Sequence, residues 1–187
     1  MGYKMKHSKT IIILVFISVV SLAIIYLSQP SPWLNEKNAK TNSDCVTAQT
    51  EKTVRGSSME PLIKAGQTLI LLENYYQCHP VQRGDIVAYK YEGNENPLIK
   101  KVKVLGGDTI KFQNNNLLVN GKILKNSQSR PYIFSQQSEK MISLYIKNEK
   151  LVDSAYLILG ENVSGALDSR RFGAVSANDF LGKFKIS

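Results

Sequence analysis

The stretch LIKKVKVL, residues 98–105, decides how the chain is read. With a strand period of two, Leu98, Lys100, Val102 and Val104 share one face, and Ile99, Lys101, Lys103 and Leu105 share the other. Lys100 is then the only charged residue on an apolar face, while Lys101 and Lys103 lie on a mixed one. A lysine so placed is desolvated, and desolvation lowers an amine from its usual pKa of about 10.4 toward neutrality. The alternative is that its stem lies along apolar surface and its ammonium escapes to the rim.

Working outward, the neighbouring segments also read as strands. QTLILLENY (67–75), GDIVAYKY (84–91), the full LIKKVKVLGGDTIKF (98–112), NLLVNGKIL (116–124) and SAYLILGE (154–161) are rich in β-branched and aromatic residues and bounded by Gly, Asn, Pro or Asp. Asn120–Gly121 is the strongest hairpin signal. The stretch 125–150 is polar and weakly patterned and reads as a peripheral excursion, and SANDFLGKF (176–184) as one short helical turn. Together these predict a mostly β domain of hairpins, a closed or half-closed barrel with few helices.

A second stretch, RGSSMEP (55–61), raises a chemical question. A serine hydroxyl is a poor nucleophile until a base takes its proton. The chain has two histidines. His7 precedes a long apolar run, and His79 adjoins Cys78 in a loop, so a Ser-His-Asp triad is disfavoured. Lysine is the remaining base, and Lys100 is the one that the strand pattern desolvates.

Between Thr10 and Asn35 there is no charge, and IIILVFISVVSLAIIYL (11–27) is interrupted only by two serines. At about 1.5 Å per residue this run reaches ~25 Å, and its neighbours extend it enough to cross a bilayer. Lys4, Lys6 and Lys9 precede it and argue for a cytoplasmic N-terminus, with Tyr26 and Trp33 as interfacial aromatics. A cleaved signal peptide is the alternative, weakened by the length of the run and the lack of a small-x-small pair after it. The expected organisation is a cytoplasmic segment 1–9, a transmembrane anchor 10–28, a linker 29–50 and an extracytoplasmic domain 51–187. The lipid bilayer is thus an expected partner, with a single pass through the cytoplasmic membrane.

The net charge is +9, and +6 of it is spread over residues 51–187 without a long basic run. That argues against a nucleic-acid module and suits a domain near anionic lipid. Cys45 and Cys78 fall on the outer side, where they form a disulfide or remain two thiols, since spacing does not fix geometry. No metal site is expected: Cys78–His79 and one distant cysteine do not supply four ligands.

GSSMEP, RGDIVAY (83–89), LIKKVKVLGGD (98–108) and GENVSGALDSRRFG (160–173), in that order, closely resemble the bacterial type I signal peptidases. The resemblance covers about 55–185 and implies a membrane-anchored serine endopeptidase with a Ser-Lys dyad on a signal-peptidase-like β-barrel or half-barrel. It puts the nucleophile at Ser58 and the general base at Lys100, with Ser57 a neighbour of the nucleophile. Asp168, Ser169 and Arg170 match the supporting C-terminal signature, and Gly56 falls where some members carry a second oxyanion donor. Lys52 to Val54 match a substrate-binding edge, and Val54, Met59, Ile63 and Ile99 match pocket walls. The implied partners are preprotein signal peptides cut at small-x-small sites, with secretion or conjugation machinery beside them, and no cofactor.

Several positions depart from the family pattern. Val163 stands where the family has arginine, and Gly106 where it has proline. Ala166 replaces a hydroxyl residue that orients the lysine amine. A charge pair between Glu161 and Lys101 is expected in place of the family's Asp and Arg. These departures keep two alternatives open: a dedicated maturation peptidase for a pilin or conjugation protein, and an inactive membrane-tethered binding module.

Overall fold

A computed structural model describes residues 47–92 and 94–186. The expected anchor at 10–28 and Cys45 lie outside the described residues, and Cys78 is disulfide-bonded. Among the described residues no helix is long and apolar enough to cross a membrane.

In chain order the elements are β1 (Gln49–Thr53), β2 (Thr68–Glu73), a 3-10 turn (Tyr75–Gln77), β3 (Ile86–Tyr89), β4 (Leu98–Val104), β5 (Ile110–Gln113), β6 (Asn116–Val119) and β7 (Lys122–Ile123). Then come α1 (Gln136–Ser143), β8 (Ile146–Lys147), β9 (Lys150–Leu151), β10 (Ala155–Leu159), α2 (Ser169–Phe172), β11 (Val175–Ser176), a 3-10 turn (Ala177–Asp179) and β12 (Phe180–Lys185). The domain is mostly β, as the strand patterns predict. Seven strands pair in the order β1-β2-β12-β3-β4-β10-β11, with β5-β6-β7 and β8-β9 as smaller sheets.

The expected hairpin is present. β6 pairs antiparallel with β7, and Asn120 and Gly121 take positive φ of 50° and 78°, the conformation a tight two-residue turn needs. Beyond the two-residue strands β8, β9 and β11, two longer strands lie where none was expected. β1 begins at Gln49, inside the stretch read as linker, and pairs with β2 from Gln49 opposite Leu72 to Thr53 opposite Thr68. Its side chains are mostly exposed, so it has no apolar alternation by which to be read. In 176–184 the helical turn is there, but Phe180 then opens β12, a central strand.

The strand period of β4 also breaks. Val104 sits opposite Leu157 and Val102 opposite Ile158, which leaves Lys103 as an extra residue between them. Val102 therefore packs with Val87 and Ile158, whereas Val104 joins a different cluster with Leu157 and Leu159. Lys103 is buried, not on a mixed surface.

Residues 125–150 are not peripheral. Tyr132, Phe134 and Ile142 are fully buried in the cluster around Val104 and Leu157. Ser135 caps α1 by accepting the N–H of Ser138 at 3.1 Å, which turns Ile142 inward. Few apolar residues at irregular spacing do this work, so no period reveals it.

β12 crosses β2 at very close range. A Cβ on Gly182 would lie 2.1 Å from the carbonyl oxygen of Leu72. Gly182→Ala is expected to destabilise the domain by about 1–3 kcal/mol. A circular-dichroism melt should show a fall of several degrees, and an unchanged midpoint would contradict this packing.

Candidate active site

Residues 55–66 leave β1 as a loop closed at its base. Val54 N–H donates to Gln67 O at 2.8 Å, and Gly66 N–H donates to Val54 O at 2.9 Å. Gly56 opens the loop with φ +77°, in the left-handed region that a side chain disfavours. Met59 and Ile63 pin the loop by burying against Leu69, Leu71, Ile86, Ala88 and Phe184. Ser58 thus lies between buried Val54 on one side and buried Met59 on the other.

The backbone of Ser58 is also tied from the other side. Its carbonyl accepts the N–H of Asn162 at 3.0 Å. A Cβ on Gly160 would come within 2.6 Å of that same oxygen, so only glycine permits the approach.

Lys100, on β4, is 2% exposed. Its Nζ is 3.0 Å from Ser58 Oγ and donates to the Ile99 carbonyl at 2.8 Å. Burial lowers its pKa to about 8; the Asp168 carboxylate pushes it back up, and Arg170 lowers it. The amine is therefore a competent proton acceptor close to neutral pH. It does not snorkel.

Asp168 is fully buried and caps α2. Its Oδ2 accepts the Gly160 N–H at 3.0 Å and the Arg170 Nη2 at 2.8 Å, and its Oδ1 accepts Arg170 Nε at 2.9 Å. The Arg170 guanidinium also reaches the Val163 carbonyl. Ser169 Oγ accepts the Ile158 N–H at 2.9 Å. Thus Asp168, Ser169 and Arg170 bind the α2 turn to β10 and the segment after it, which carries the contacts to Ser58.

Of the other expected residues, Ser57 is exposed and its hydroxyl makes no hydrogen bond among the described residues. Val54, Met59 and Ile99 line a groove of about 320 Å3 that includes Ser58 and Lys100. Ile63 does not line it. With no exposed surface, it packs behind the loop, because apolar residues one helical turn apart in this tight loop serve the core first. β1, residues 49–53, runs along the groove as an edge strand of the large sheet. A larger cleft, about 930 Å3 and lined by Ser164–Leu167 and Arg170, includes neither Ser58 nor Lys100. His79 is held elsewhere, stacked on Tyr75 with Nδ1 3.0 Å from its carbonyl.

The departures from the family pattern have local explanations. Ala166 brings no hydroxyl, and the Ile99 carbonyl is the amine's second partner. Gly106 leaves no room for a side chain: a Cβ there would be 2.2 Å from Asp153 O. Glu161 does meet Lys101, at 3.6 Å, but Lys103 is closer at 2.9 Å. Burial alone would raise the Glu161 carboxyl, yet the Ser127 N–H and Lys103 outweigh it and hold the group below its usual range. Sequence reasoning missed Lys103, Ser127 and Tyr132. The ring of Tyr132 lies 5.4 Å from both the Lys103 ammonium and the Arg170 guanidinium.

The chain as a whole is similar to known proteins. The family described as signal peptidase, peptidase S26, matches residues 45–187. Signal peptidase I of Bacillus caldolyticus is 31% identical over 135 residues, covering 70% of this chain and 74% of that one. Signal peptidase IB of Staphylococcus aureus is 27% identical over 143 residues, with 72% and 74% covered. A solved signal peptidase I from Enterococcus faecalis V583 aligns at 24% identity over 57% of this chain and 98% of that one, with a TM-score of 0.43. The fold described above rests on its own strand pairings.

The buried amine has a consequence for stability. Its folded pKa lies below its unfolded value, so the unfolded chain binds more protons between about pH 8 and 10.5. The destabilisation is complete below pH 8 and disappears as pH rises through that window. Lys100→Met should therefore stabilise the domain at pH 7 by up to about 3 kcal/mol. Denaturant titrations across pH should show the gain shrinking above pH 8, and a gain independent of pH would contradict the assignment.

Proposed function

The chain belongs to the signal peptidase family, peptidase S26, serine-type hydrolases that remove signal peptides, and within it we propose that Ser58 and Lys100 form the catalytic dyad. The observation that carries the reading is the 3.0 Å contact between Ser58 Oγ and a buried Lys100 amine. Neutral Lys100 accepts the Ser58 proton as the hydroxyl oxygen attacks the scissile carbonyl. The ammonium then protonates the leaving amine, and the regenerated neutral amine activates the water that releases the acyl group. The Ser58 N–H, which donates to no acceptor among the described residues, serves the developing oxyanion. Asp168 and Arg170 are positioning residues, since they act through Gly160 and through the electrostatics of the amine.

The substrate is an extended preprotein segment that adds along β1, with small side chains directed at Val54, Met59 and Ile99. An anchor at 10–28 would hold the domain beside the bilayer on the extracytoplasmic face, with the linker and domain following it.

Ser58→Ala and Lys100→Met should each abolish cleavage of a peptide with small residues one and three places before the cut, while the fold persists. Cleavage retained by either purified variant would sink the dyad. The rate should rise with pH through about 8 as the amine loses its proton. Because the Arg170 charge lowers the Lys100 pKa, Arg170→Met should move that midpoint upward, read from kcat/KM against pH. A midpoint that stays put, or moves down, would contradict the proposed coupling.

A further inference from the structure

Arg83, Lys101, Lys103, Lys122 and Lys125 line one cleft of about 690 Å3, and among the described residues no aspartate or glutamate lines it. The cleft shares no residue with the Ser58 groove. In sequence these cations are scattered; the β3–β4 pairing and the β6–β7 hairpin bring them together.

Two carboxylates reach part of this charge. Asp108 holds Arg83 at 2.6 Å, and Glu161 sits 2.9 Å from Lys103. Lys101 is left at the longer distance of 3.6 Å from Glu161, and Lys122 and Lys125 enter no ion pair among the described residues. Both of these last two are exposed. Like charges held together in a concave site raise each other's energy, and an anion placed among them relieves it. The cleft is not purely polar. Ile123, 46% exposed, and Leu124 also line it. A cationic rim beside apolar side chains suits an anion that carries an apolar stem.

We propose that this cleft binds a phosphate-bearing anion, its phosphate among Lys101, Lys122 and Lys125 and its stem against Ile123 and Leu124. The inference does not depend on the Ser58–Lys100 chemistry, and its test does not read peptidase activity. Full-length protein in neutral detergent is treated with an amine-acetylating reagent, and modification of each lysine is followed by mass spectrometry. Phosphatidylglycerol added to the micelles should slow acetylation of Lys122 and Lys125 by about five-fold or more relative to phosphatidylcholine, with Lys64 and Lys147 unaffected. The double variant Lys122→Glu, Lys125→Glu should lose the protection of Lys101 while keeping the melting temperature of the parent. Protection by the lipid alone supports the site and assigns the phosphate to a headgroup with its stem on Ile123 and Leu124. Equal protection by glycerol 3-phosphate, which has no apolar stem, would overturn the stem and with it the proposal. No protection, equal protection at Lys64 and Lys147, or equal protection by an oligonucleotide would overturn it.

Discussion

The candidate site depends on keeping one lysine amine out of water, at a cost to the stability of the fold that holds it. An ordinary lysine at pH 7 is neutral in only a few molecules per ten thousand, whereas at a pKa of about 8 roughly one in ten is neutral. That gain is made by burial, and the rest of the fold is arranged to sustain it. β4 runs through the large sheet with β3 on one side and β10 on the other. Met59 and the loop that carries Ser58 pack on the cluster that includes Ile86 and Ala88. The buried Asp168 opposes the effect by attracting the ammonium form, and the bidentate grip of Arg170 tempers it. Without its guanidinium partner, a carboxylate at that position would favour the wrong protonation state of the base.

A second buried group of charges lies along the same strand. Glu161, fully buried, meets Lys103 and accepts the N–H of Ser127, and the Asn126 side chain donates to the Glu161 carbonyl at 2.9 Å. These contacts fasten the segment after β7 to the start of the 161–167 loop. That loop also holds the Asn162 N–H on Ser58 and the Val163 carbonyl on Arg170. The polar excursion is therefore structural support for the site. Removing one member of such a group would leave a buried charge unpaired, which is costlier than never having buried it.

The burial of Lys100 in the candidate site was legible in the sequence because the strand period put it on an apolar face. The hairpin at Asn120–Gly121 was equally plain, since few other pairs suit its backbone. What stayed hidden has physical causes. The extra residue at Lys103 shifts the alternation, so a lysine that counts as mixed-face is in fact enclosed. β1 buries almost nothing, so QTEKT carries no apolar signal. In β12, Phe180, Gly182 and Phe184 do alternate inward, but the Ser176 cap and the short turn after it mask the strand that follows. Tyr132 belongs to a short apolar run, YIF, inside a polar stretch, and its contacts to two cations come from elements remote in sequence.

The close approach of Gly160 to Ser58 has a wider meaning. Position 58 is held by main-chain groups: its carbonyl meets the Asn162 N–H, the bare Cα of Gly160 lies against it, and buried neighbours fix the loop on either side. None of these contacts involves the hydroxyl. The scaffold is in that sense indifferent to which small reactive group it presents. A thiol or an inert methyl could occupy the same point without rebuilding the fold, so the chemistry can be exchanged separately from the architecture that aims it.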